Sequence, residues 1–126
     1  MSRKAITAPG SVAVGPYSHA VDAGEFVYLS GQTPAIPGTS RLAEGGIAAQ
    51  TAQCFENLKN VLAAAGLSLD DVIKVNVFLT DMKNFQAMNE VYAGQFLAPY
   101  PARSTVGVRE LPLGASVEIE MIARKR

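Results

Sequence analysis

The stretch IAAQTAQCFENLKNVLAAAGLSLDDVIKVNVFLT (residues 47–80) decides the fold class, because its hydrophobic period changes partway along. In residues 47–65, Ile47, Thr51, Cys54, Phe55, Leu58, Val61, Leu62 and Ala65 recur at steps of three and four. That spacing predicts an amphipathic helix with one apolar face. Gly66 is expected to supply a left-handed stop, and Leu67 the apolar contact just beyond it. In residues 71–80 the period drops to two, with Ile73, Val75, Val77 and Leu79 set to face one way, which predicts a strand. Cys54 falls on the buried stripe of the helix and reads as core packing rather than as a reactive thiol.

Working outward, Asp81 is placed to cap a second helix. Its apolar residues Phe85, Met88, Tyr92 and Phe96 share one side, and Pro99 and Pro101 end it. Two strands follow, at about residues 103–109 and 116–124, joined by ELPLGA. Towards the N-terminus, HAVDAGEFVYLSGQ (residues 19–32) reads as a hairpin about the turn DAGE. Residues 6–21 and 33–46, rich in Gly and Pro, read as loops. The order is strand, strand, helix, strand, helix, strand, strand. This predicts an α+β fold: a mixed sheet with two helices packed on one face. The strands that follow the two helices are candidates for parallel neighbours across a right-handed crossover.

The 126 residues suit one domain, residues 1–126, with no internal repeat or linker. Hydrophobic residues make up 48% and charged residues 17%, so part of the surface is expected to be covered by other subunits. Formal net charge is zero, with 11 basic and 11 acidic residues. The terminal ARKR is the one basic cluster and reads as a solvated tail, so a nucleic-acid partner is not expected. No apolar run is long enough for a membrane span, and the N-terminus has no apolar signal core. With a single Cys this composition fits a reducing cytoplasm. One His and one Cys supply neither a metal cluster nor a His-based triad, and no phosphate-cradling glycine motif is present. Any chemistry falls to Arg, Glu, Tyr, Ser, Thr, Asn and backbone groups.

The last two strands carry charge where a sheet should be. Val117, Ile119, Met121 and Ala123 alternate with Glu118, Glu120, Ile122 and Arg124, while Ser104, Val106 and Val108 alternate with Arg103, Thr105, Gly107 and Arg109. If these strands pair antiparallel with their apolar sets on the helices, Arg103, Thr105 and Gly107 share the outer face with Glu118 and Glu120. Such a face can be a solvated one crossed by ion pairs. Gly107, which leaves room for close approach, and Ile122 on the same face count against that reading. An Arg held by the preceding Pro101 is suited to a planar carboxylate, and a nearby Glu can orient a water or move a proton. Together they suit a small carboxylic acid.

The motifs GPYSHAV (residues 15–21), YLSGQTP (28–34), residues 50–92, YPARSTV (100–106) and VEIEMIA (117–123) resemble, in order and spacing, the Rid family, also called YjgF. The resemblance spans nearly the whole chain. It implies a chorismate-mutase-like fold, a homotrimer, and sites in the clefts between subunits. It further implies hydrolysis of 2-imino or enamino acids such as 2-aminoacrylate to 2-keto acids and ammonia, with no metal or other cofactor. Carried over residue by residue, it implies that Arg103 holds the substrate carboxylate. Glu118 would position or deprotonate the attacking water, and Tyr17 would order that water and close the cleft. Ser30 and Gly31 would line the pocket, and Asn89 would reach it from the neighbouring subunit. Where imine deaminases often have Cys two residues after the arginine, this chain has Thr105, a hydroxyl able to hydrogen-bond a ligand, which leaves substrate preference open. Glu120 reads as structural or interfacial, and His19 as a surface or interface residue. A non-catalytic module that binds 2-keto acids, and an endoribonuclease or translation inhibitor, are the alternative functions.

Overall fold

The computed structural model describes residues 3–10 and 15–126, so residues 11–14 of the expected first loop lie outside the described residues. The strands are β1 (Lys4–Ile6), β2 (Ala20–Asp22), β3 (Phe26–Gln32), β4 (Val72–Leu79), β5 (Ala102–Gly107) and β6 (Val117–Arg124). The helices are α1 (Gly46–Ala64) and α2 (Phe85–Ala93). All six strands form one mixed sheet in the order β1-β2-β3-β6-β4-β5, with β4 and β5 parallel and every other pair antiparallel. The expected α+β architecture and the parallel pair are therefore present. β1 was not foreseen: three residues with one partly buried side chain carry too little periodicity to register.

α1 ends as its sequence dictates. Gly66 adopts φ 74, the Gly66 N–H donates to Ala63 O (2.9 Å), and the Leu67 N–H donates to Leu62 O (2.9 Å). This is the paired closure that a left-handed glycine permits, and Leu67 packs on the core beyond it. Asp81 does cap, but what it caps is a 3-10 turn, Met82–Asn84, through a bond from the Lys83 N–H (2.9 Å). α2 then stops at Ala93, short of Phe96, because Gly94 and the chain after it no longer sustain the helix.

The core lies between the helices and one face of the sheet. Phe55, Leu58 and Leu62 of α1 share one core cluster with Leu79, Val117 and Ile119, all fully buried. Burying such a side chain stabilises the fold by about 1.5–3 kcal/mol. Phe55 stands edge-on to Tyr92 (centroids 5.7 Å apart, 74°) and to Phe96 (5.8 Å, 78°), which ties α2 to α1. Cys54 is fully buried, and that burial drives its thiol pKa far up, in keeping with inert packing. In β4 a register shift between Val72 and Lys74 buries Val72 and turns Ile73 outward, so Ile73 does not join Val75, Val77 and Leu79.

The larger correction concerns the last two strands. β5 and β6 are not neighbours, because β4 lies between them. Directly paired residues share a face of a sheet. Arg103 pairs with Val75, which pairs with Met121, and Thr105 pairs with Val77, which pairs with Ile119. Arg103, Thr105 and Gly107 thus lie on the helix side. Glu118 and Glu120 pair with Phe78 and Asn76, whose β5 partners are Val106 and Ser104, on the open side. Gly107 is explained within the chain: a Cβ there would meet Met82 Cγ at 3.1 Å. The terminal basic cluster is likewise no free tail. Arg124 pairs with Glu25 (2.6 Å), Lys125 with Asp22 (2.6 Å) and Arg126 with Asp71 (3.0 Å). The hydrogen bond from Lys125, and after it one from the Gly24 N–H, lower the Asp22 pKa.

Candidate functional site

The expected site residues fall into two groups on opposite sides of the sheet. On the open side Tyr17, Ser30, Gly31 and Glu118 line a cleft of about 540 Å³, with Glu120, the loop after β3 and Pro112–Leu113 completing it. On the helix side Arg103 and Asn89 line a second hollow of about 350 Å³ with Tyr92, Tyr100 and Pro101. The expectation that Arg103 and Glu118 share a face within one chain is therefore overturned, for the register reason given above.

The Glu118 cleft is shaped by an irregularity. Between Leu29 and Gln32 the β3–β6 register shifts, so that three steps on β3 oppose two on β6. A bulge of this kind re-aims local groups. Gly31 sits there because Glu118 crosses it: a Cβ at Gly31 would stand 2.9 Å from Glu118 Cδ and 3.1 Å from Oε1. Ser30 donates its hydroxyl proton to Ser18 O (2.6 Å), which leaves its lone pairs free to accept. Glu118 is half-buried, and that burial, followed by the charge of Glu120, raises its pKa above the ordinary glutamate value. Glu120 is held by Asn76, whose amide donates to Oε2 (2.9 Å). His19 proves buried, its Nδ1 accepting from the Ala8 N–H (3.3 Å), which puts the proton of a neutral ring on Nε2.

One contributor escaped the sequence reading. Asn57, buried in α1, donates to Thr33 O (3.0 Å) and Ala35 O (2.9 Å) and accepts from Gln53 Nε2 (2.9 Å). It thereby fixes Thr33 and Ala35 of the loop that lines the Glu118 cleft. The available signal was an Asn three residues after Cys54 and four before Val61, on the apolar face of the helix.

On the helix side, the Arg103 guanidinium lies 4.6 Å from the Tyr92 ring centroid and 5.6 Å from that of Phe85. Its Nη1 donates to Asn89 Oδ1 (2.7 Å). Asn89 thus belongs with Arg103 on the same chain. Among the described residues Arg103 forms no ion pair. The hydroxyls of Tyr92 and Thr105 are buried without a partner among the described residues, and Thr105 points away from the Glu118 cleft. Among the described residues no group of three or more His, Cys, Asp or Glu side chains gathers as a metal would need, and no helix is long and apolar enough to cross a membrane.

Comparison with known proteins agrees with this architecture. A RutC family protein of Pyrococcus horikoshii is 51% identical over 112 residues, 89% of each chain. A 2-iminobutanoate/2-iminopropanoate deaminase of Dermatophagoides farinae is 48% identical over 109 residues, covering 86% of this chain and 85% of that protein. The crystal structure of RidA from an Antarctic Psychrobacter superposes with a TM-score of 0.91 at 48% identity, over 98% of this chain and 100% of that one. The family model described as Endoribonuclease L-PSP matches residues 6–125, and the chain therefore belongs to that family, the Rid/YjgF family that its motifs resemble.

Proposed function

We propose that this protein is a 2-imino acid deaminase, hydrolysing reactive imine and enamine acids to 2-keto acids and ammonia. The observation that carries the reading is Arg103: a partly buried guanidinium, held by neutral groups and free of any carboxylate among the described residues. A cation so placed and left unpaired is a receptor for an anion, and its fork matches a carboxylate. The deaminase among the relatives supports the same chemistry.

The two half-sites combine when the open face of one subunit meets the Arg103 edge of another. We therefore place the reaction between subunits of a homo-oligomer, a homotrimer by the family resemblance. Apolar side chains on the open face, with Tyr28 49% and Val106 46% exposed, support its being covered. Arg103 grips the substrate carboxylate. Glu118 of the adjacent subunit takes a proton from a water as its oxygen bonds to C2, while the C=N π bond breaks and the imine nitrogen takes a proton from solvent. The carbinolamine then collapses: the C–N bond breaks, ammonia leaves with the proton returned by Glu118, and the C2 hydroxyl gives its proton to solvent as C2 becomes the keto carbonyl. A carboxyl group with a raised pKa suits both the taking and the giving of that proton. Tyr17 and Ser30 bound the water's side of the cleft.

The test is a coupled assay in which an amino-acid oxidase generates imines and keto-acid release is timed. Added protein is expected to speed release. The acidic limb of its pH–rate profile is expected above the ordinary carboxylate range and absent in Glu118→Gln. Burial disfavours the Glu118 carboxylate, so the folded chain binds that proton more tightly than the unfolded one. Its ionisation therefore destabilises the fold as pH rises through the folded pKa. Glu118→Gln should melt higher than the parent above the folded pKa and equally only below the ordinary glutamate pKa, where Glu118 is protonated in the folded and the unfolded chain alike. Binding of keto acids without acceleration would leave a ligand-binding module instead, and RNA cleavage outpacing imine hydrolysis would replace the reading with a nuclease.

Gly31→Ala provides a sharper check. The added methyl meets the movable end of Glu118, so the fold should lose little, within about 1 kcal/mol. The displaced carboxylate should lower kcat by roughly a hundredfold. A variant with parental kcat would show that the Glu118 position does not matter to the chemistry.

A further inference from the structure

Resting on the deaminase reading, we infer that Asn89 and Tyr92 are positioning residues that hold the Arg103 fork with neutral partners, so that its whole charge remains available to the carboxylate of the ligand. Neither group needs to touch the substrate. Asn89 accepts one of the five guanidinium N–H bonds at 2.7 Å, which fixes the rotation of the fork and leaves the remaining donors free. The guanidinium carbon lies over the Tyr92 ring, 4.6 Å from its centroid, so the ring supports the group from one side. The ring is itself rigid: it is 95% buried and packs against Phe55 (5.7 Å) and Phe96 (5.1 Å). The arginine is therefore anchored to the hydrophobic core through a stack of rings. An ordinary structural arginine at this burial would be matched with Asp or Glu; here α2 presents an amide and a π face, and the nearest acid of that helix in sequence, Glu90, is exposed.

A purely structural role and this one differ in what Asn89→Asp does. The substitution keeps the shape and strengthens the tether, so a structural role predicts unchanged or improved function. On the present reading the new carboxylate neutralises the guanidinium and competes with the ligand. Asn89→Asp is expected to melt no lower than the parent, to bind 2-oxobutanoate at least tenfold more weakly by calorimetry, and to show the loss in KM more than in kcat. Tyr92→Leu, which keeps an apolar side chain but removes the π face, is expected to raise KM about 3- to 30-fold. Tyr92→Phe should rescue that loss, since the Tyr92 hydroxyl has no partner among the described residues. Parental affinity in Asn89→Asp, or a parental KM in Tyr92→Leu, overturns the inference. A parent that neither binds a keto acid nor turns over any imine overturns the deaminase reading first, and this inference with it, before any variant is compared.

Discussion

Arg103→Ala is expected to lose about 10²- to 10⁴-fold in kcat/KM for 2-imino acids while its fold and oligomeric state stay as in the parent. A fork on a carboxylate makes two charge-assisted hydrogen bonds, each contributing about 1.5–3 kcal/mol. Losing both gives a fall of that order, since about 1.4 kcal/mol is tenfold. The structural damage should be small: Arg103 lies on an edge strand and shares no ion pair among the described residues whose other half would be left bare. Arg103→Lys is expected to recover little, because an ammonium cannot form the fork. Coupled kinetics beside melting and sedimentation measurements decide it. An Arg103→Ala protein that is folded, assembled and as active as the parent would end the assignment.

The second large effect follows from the two faces of the sheet. Arg103→Ala and Glu118→Gln should each be nearly inactive alone. Unfolded together in equal amounts and refolded, they should regain about one quarter of the parental activity. If each site takes its arginine from one subunit and its glutamate from the next, random assembly gives an intact arginine half the time and an intact glutamate half the time. A site built inside one chain predicts no recovery at all, because every chain then carries one defect. The regained fraction, measured against a refolded parent, separates the two cases without a structure of the assembly. No recovery from a mixture shown to contain mixed oligomers would rule out the site between subunits.

Glu118 and Arg103 illustrate how much of the site was legible in the chain. Both were recognisable as charges set in strands, and the apolar row of β6 put Glu118 on the open face as expected. The face of Arg103 is not legible in the sequence because β5 has a weak pattern: Ser104 and Val106 on one side, Thr105 and Gly107 on the other. Neither side is clearly apolar, so alternation could not choose between them. The deciding factor was the neighbour. Parallel pairing with β4 sets Thr105 beside Val77, and that pairing joins residues 28 positions apart in sequence. Asn57 was missed for a related reason. Its two carbonyl partners lie in a loop more than twenty residues away, and an isolated polar residue on a helix face does not say which backbone it will hold.

By itself the sequence determined the elements: where α1 runs and why Gly66 stops it, the strand after it, the hairpin, and the family to which the motifs belong. These are local properties, set by side-chain period, glycine's freedom at positive φ, and the order of short motifs. Only the tertiary structure decided that β4 separates β5 from β6, and with it that Arg103 and Glu118 sit on opposite sides of one sheet. The physical reason is that a strand's alternation records which of its sides is apolar, whereas the face on which a charged residue emerges depends on the hydrogen-bonded register with a partner far along the chain.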